Sequence, residues 1–136
     1  MQSLFVFTST PASVLAGGII PLEQPGRRVT PEIQLASNSV QAVGSPCRGS
    51  YFKVSGTVTF TAPVAGLAQI GLYQNGVLIP GIESSATVTT ADTQTVTLPI
   101  DGIVRVDNNK TGVFTLVNIG VAIDIDNVSL SFVRLF

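Results

Sequence analysis

Asp124 and Asp126 occupy alternate positions in Asp124-Ile125-Asp126-Asn127, so in an extended chain their carboxylates share one face. Oxygen ligands at that spacing could contribute to a Ca²⁺ site. Such a site takes about six to eight oxygens, and no glycine-bearing EF-hand loop surrounds this pair. The segment reads as a polar turn ahead of the last strand. Acid–base work by two carboxyls needs two contrasting environments, and the flanking residues give no sign of them. No metal is expected.

Other candidates for chemistry are few. The chain contains no histidine, so the commonest general base and zinc ligand are both missing. Cys47 is the single cysteine, which excludes an intrachain disulfide, a thiolate metal cluster and a Cys–His pair. It lies in Gly44-Ser45-Pro46-Cys47-Arg48-Gly49 and reads as a passive loop thiol. Asn109-Lys110-Thr111 and Asn127-Val128-Ser129 match the N-glycosylation pattern. The opening Met1-Gln2-Ser3-Leu4-Phe5-Val6-Phe7 lacks the basic region and apolar length of a secretory leader. These two matches therefore read as chance, and the protein as one made in the cytoplasm that stays there or leaves inside something larger. Gly17-Gly18 is followed by no Lys-Ser/Thr and opens no helix, so it is not a phosphate loop. These absences point away from an enzyme, and no cofactor is expected.

Composition points instead to surfaces. Hydrophobic residues make up 45% of the 136 residues and charged residues 11%, against roughly 25% charged in an average domain. So few charges leave apolar surface to be buried between subunits. The basic residues Arg27, Arg28, Arg48, Lys53, Arg105, Lys110 and Arg134 are scattered along the sequence, and the net charge is −1. Nothing here supports nucleic-acid binding. No apolar run reaches the ~18 residues of a membrane helix.

The elements that must position these residues are strands. Helical periodicity is absent, while Val, Ile and Thr runs alternate with Gly, Pro, Asn and Asp. From Tyr51 to Ala62, Phe52, Val54, Gly56, Val58, Phe60 and Ala62 fall on one face, and Tyr51, Lys53, Ser55, Thr57, Thr59 and Thr61 on the other. Leu67–Tyr73 follows, then an Asn75-Gly76 hairpin turn and a return at Val77–Ile79 that Pro80-Gly81 ends. Further strands are expected at 85–90, 94–100, 103–107, 113–119 and 128–136, with short ones at 4–8, 19–22, 33–36 and 40–43. About ten strands exceed what one flat sheet usually holds. The expectation is an all-β, two-sheet antiparallel sandwich occupying residues 1–136 as one domain, with 1–32 loosely patterned.

Two strands break the inside–outside rule. Val113-Phe114-Thr115-Leu116-Val117-Asn118-Ile119 is apolar on both faces, and Val133, Leu135 and Phe136 make the chain's end apolar all round. A strand apolar on both faces is buried on both, which in a two-layer sandwich requires another subunit or a covering loop. The subunit reading places Phe114, Leu116, Val133 and Leu135 at or near an interface, with the opposite faces in the core.

From Ile33 onward the order of signals resembles the C1q/TNF-like trimeric jelly rolls. The resembling pieces are Ile33-Gln34-Leu35-Ala36-Ser37-Asn38-Ser39-Val40, Val58-Thr59-Phe60-Thr61-Ala62-Pro63-Val64-Ala65-Gly66, Leu72-Tyr73-Gln74-Asn75-Gly76-Val77 with Pro80-Gly81, and Asn127-Val128-Ser129-Leu130-Ser131-Phe132. Gly17-Gly18-Ile19-Ile20-Pro21 also resembles an early segment of small phage-encoded proteins. The resemblance implies a two-sheet antiparallel jelly-roll sandwich and a homotrimer. It further implies a non-enzymatic structural protein of a phage virion, a capsid decoration or head-fibre protein partnered by the major capsid protein. The alternatives are a receptor- or glycan-binding tail tip and a bacterial cell- or spore-surface knob. No Gly-X-Y stalk is present, which favours the virion component.

Overall fold

A computed structural model describes residues 3–8, 10–25 and 33–135. The basic pair Arg27-Arg28, much of the proline-rich stretch 21–31, and Phe136 lie outside them. The described residues form eleven strands and no helix: β1 (Ser3–Thr8), β2 (Ala12–Val14), β3 (Gln24–Pro25), β4 (Ile33–Ala36), β5 (Ser39–Val43), β6 (Ser50–Thr61), β7 (Gly66–Gln74), β8 (Val77–Val88), β9 (Val96–Val106), β10 (Thr111–Asn118) and β11 (Ile123–Arg134). One sheet runs β3-β1-β11-β6-β9, with β2 also against β11, and the other runs β4-β5-β10-β7-β8. All named pairings are antiparallel.

Strand alternation decides what is buried. On β6 the side chains of Phe52, Val54, Val58 and Phe60 point inward and are inaccessible to solvent. They meet Ile70 and Leu72 of β7 and Phe114 and Leu116 of β10, all equally buried, in one apolar core. Gly56 shares the inward parity for a steric reason: a Cβ there would run into the backbone carbonyl of Ser129 on β11.

Turns follow local chemistry. Asn75 and Gly76 take φ of 52° and 83°, the left-handed pair that a two-residue hairpin needs. Ser37-Asn38 makes the same kind of turn between β4 and β5, with φ of 39° and 65°. The expected break near 101–102 does not occur, because Asp101 and Gly102 pair with Ser55 and Val54 and continue β9. A Cβ on Gly102 would clash with the side chain of Ile82, so this glycine clears space for a core residue. Nor does Pro80-Gly81 end a strand. The β7–β8 register jumps from Gly71↔Glu83 to Tyr73↔Leu78, so residues 79–82 bulge opposite Leu72.

The expected strand at 19–22 is instead part of a strap. β2 pairs with β11 in one sheet. Residues 17–20 then bond to β10 in the other sheet, with Gly17 N donating to Asn118 O at 2.6 Å and Ile20 N to Leu116 O at 2.8 Å. β3 returns to pair with β1 in the first sheet. Ile20 and Leu22 are thereby driven into the core. Asn118, wholly buried, clasps this region: its Nδ2 donates to Val14 O (3.1 Å) and Val121 O (2.9 Å), and its Oδ1 accepts from Gly120 N (3.2 Å). Thr8 is a second clasp, with its hydroxyl donating to Pro21 O at 2.8 Å and accepting from Glu23 N at 3.2 Å.

Candidate self-association surface

The structure separates the four residues expected at an interface. Phe114 and Leu116 do not face outward. Both are inaccessible within a single chain, and the Phe114 ring lies 5.2 Å from that of Phe132 on the opposite sheet. They are core residues, and the outward-facing positions of β10 are Val113, Thr115 and Val117, all half-buried. The expectation had the faces of this strand reversed. Val133 and Leu135 belong to the other sheet: Val133 points outward from β11, half-buried, and Leu135 follows the strand with 42% of its surface exposed. The two pairs therefore do not come together. Size was the missed signal, since Phe114 and Leu116 are the bulkiest residues of β10 and share one parity.

Val133 leads to a broader surface, the outward face of the six-stranded sheet. The register lays it out in rows. Phe5, Ser131, Ser55 and Asp101 form one row, and Phe7, Ser129, Thr57 and Pro99 the next. Val133, Lys53 and Ile103 form a third. The β1 side of the face carries a ridge, Phe5 and Phe7, with ring centroids 6.2 Å apart. Its middle is a trough of small hydroxyl side chains on β11 and β6, in which Thr57 and Ser129 hydroxyls are 3.2 Å apart. The trough ends against a second hydroxyl pair, Thr59 and Thr97, at 3.0 Å. The β9 side rises again at Pro99 and Ile103, the latter 57% exposed.

The ion pairs of this face lie toward one end, and Asp124, hydrogen-bonded to Ser13, stands at the other. Lys53 Nζ lies 2.7 Å from Asp101 Oδ1. Arg105 pairs with Asp107 and sits over the Tyr51 ring, 5.8 Å from its centroid. Leu135 N donates to Tyr51 O at 2.8 Å, which extends the apolar edge beyond β11. Serines and threonines that satisfy one another present a flat, nearly neutral surface. A second sheet can approach it closely without stranding a charge.

The carboxylates singled out by spacing are placed otherwise. Asp124 accepts from Ser13 Oγ at 2.8 Å. Asp126 sits at a bulge, where the β11–β6 register shifts between Ile125 and Asn127, and is exposed. Among the described residues no group of three or more Asp, Glu, His or Cys converges. Cys47 is exposed in its loop.

No protein-family model and no curated protein matches the sequence. Solved structures do match in three dimensions. The Eiger TNF of S. frugiperda superposes with a TM-score of 0.72 at 9% identity, over 99% of this chain and 92% of that one. The fold is a C1q/TNF-like jelly roll. The globular domain of zebrafish complement 1qA gives 0.65 at 8% identity, over 98% of this chain and 97% of the other. PRD1 vertex protein P5 gives 0.59 at 12% identity, over 98% and 96%. At these identities the jelly-roll likeness speaks to architecture, and function has to be argued from the surfaces.

Proposed function

We propose that this chain is a non-enzymatic, self-associating structural protein of a phage particle, a capsid decoration or head-fibre subunit. In this reading copies pack through the outward faces of their six-stranded sheets, three to an assembly, and the assembly docks on the major capsid protein. The observation that carries the self-association is the ridge-and-trough relief of that face. Phe5 and Phe7 stand at one margin, Pro99 and Ile103 at the other, and a strip of serine and threonine lies between. Ridge and trough differ, so two copies meet through unlike patches, and such heterologous contacts form a ring when the rotation between copies closes. Three-fold closure is taken from the resemblance to C1q/TNF-like proteins. A jelly roll of this kind also occurs in PRD1 vertex protein P5, which lends the particle reading its support. Val133 and Leu135 remain interface residues in this proposal; Phe114 and Leu116 do not.

Two measurements test it. The mass in solution should be that of several chains, three in this reading, and particles purified from the encoding phage should contain the protein after washing and sedimentation. A monomer at all concentrations overturns the self-association. A protein that stays in the supernatant while particles sediment overturns the virion assignment.

A further inference from the structure

The strand register divides the molecule along its length. β6 runs from Ser50, opposite Val106, to Thr61, opposite Asp124. Around Ser50 gather the Gly44–Gly49 loop, the Asn75-Gly76 turn, the 107–110 turn and the end of β11. Around Thr61 gather the turn after β2 and the loops β6–β7, β8–β9 and β10–β11.

Charge is divided in the same way, although the sequence scatters it. Among the described residues every basic side chain lies in the Ser50 half. Arg48, Arg105, Lys110 and Arg134 are at its end, and Lys53 is three residues into β6. Lys53 and Arg105 are matched by Asp101 and Asp107, and the loop residues Arg48 and Lys110 give that end its cationic rim among the described residues. The Thr61 end carries Asp92, Asp124 and Asp126 and, among the described residues, no cation. Asp92 is held there by its N–H to Ala62 O at 2.8 Å. Apolar side chains are exposed at both ends: Leu15, Val64 and Leu67 at 74%, 52% and 51% near Thr61, and Val43 and Val77 at 37% and 69% near Ser50.

We infer that copies of this chain stack end to end, the carboxylate-bearing end of one seated on the cationic end of the next. The chain itself supplies the complementary partner for each end: opposite charge at the rim and exposed aliphatic groups to desolvate between them. The two ends lie on opposite sides of the molecule, so the contact is heterologous and does not close, which produces a linear stack. Its charged groups, Arg48, Lys110, Asp92 and Asp126, are not among the residues named for the lateral association proposed above. The rim charges are exposed, so the contact is sensitive to salt: the screening length falls from ~30 Å at 0.01 M to ~3 Å at 1 M.

Sedimentation velocity over a range of protein concentrations, at low and high salt, reads the stacking. In ~0.01 M salt the mass should climb with concentration past the lateral oligomer, and association should weaken at least about ten-fold in ~1 M salt. Arg48→Glu with Lys110→Glu, or Asp92→Lys with Asp126→Lys, should stop the climb while circular dichroism stays unchanged. An equimolar mixture of the two double variants should restore it, since each then offers the other an opposite end. Arg48→Gln with Lys110→Gln should weaken stacking without adding acid, which covers a charge-reversed chain that folds poorly. Exposed Cys47 provides a geometric check. In an Ala65→Cys chain, oxidation should give a ladder joined between Cys47 and position 65. A wild-type mass that does not rise at low salt, a rise that survives both double variants, a mixture that stays inert, or cross-links only between like positions would each overturn the inference. The lateral assembly is read separately, from its mass at high salt.

Discussion

Phe114 carries more of the molecule's stability than its place in a two-faced strand implies. Its ring packs against Phe132 across the sandwich, and truncating a buried phenylalanine costs about 3–5 kcal/mol. Phe114→Ala should lower the unfolding free energy by that amount, measured by urea titration, and Phe114→Asp should fail to fold rather than fold and dissociate. A folded, dissociated Phe114→Asp protein would return the residue to an interface. Asn118 is the polar counterpart. All its side-chain hydrogen-bonding atoms have partners in the strap or the β10–β11 turn. Asn118→Ala strands one buried carbonyl and a half-buried carbonyl and N–H, and should cost on the order of 3 kcal/mol; a loss under about 0.5 kcal/mol would show that water replaces the amide. Asp124 and Asp126 have no third carboxylate beside them among the described residues. A chelator should therefore leave the melting temperature unchanged, and a marked drop would reveal a bound cation, since a ligand of the native state stabilises it by mass action.

At the scale of elements, two-residue turns and one strap fix the sandwich. Gly76 has φ 83° with open space around it, so Gly76→Ala should cost about 1 kcal/mol from backbone conformation alone, read as a shift in the urea midpoint. This turn was legible in the sequence, as was β6, because both are governed by local rules, positive φ and period-two alternation. The strap was not. Gly17, Gly18 and Ile20 share backbone hydrogen bonds with Leu116 and Asn118, about a hundred positions away, and no local pattern encodes that pairing. The bulge at 79–82 was hidden for a related reason: Pro80-Gly81 reads as a stop, yet β7 offers partners on both sides of it. β10 could be recognised as a strand but not oriented by hydropathy. Val113, Val117 and Ile119 are as apolar as Phe114 and Leu116; the larger side chains of one parity orient the strand, and that parity meets Phe132. Of the candidate surface, Val133 was legible from the apolar chain end. The Phe5–Phe7 ridge and the hydroxyl trough emerge only when β1, β11 and β6 are laid side by side.

At the scale of the whole molecule, two sheets share one core. The six-stranded sheet shows a ridge, a trough of paired hydroxyls and a rim of matched charges. These are features suited to close contact with another protein surface. Low overall charge, 11% of residues, fits a chain that buries surface by association. The most direct measurement is the mass of the wild-type protein and of Val133→Asp by light scattering in high salt, with circular dichroism on both. Val133 lies on the outward face beside Lys53, so an aspartate there leaves the core untouched and places a charge into the contact. The account predicts three chains for the wild type, and a strand-rich protein of lower mass, down to one chain, for Val133→Asp. A wild type of one chain, or a Val133→Asp protein that keeps the wild-type mass, would contradict it.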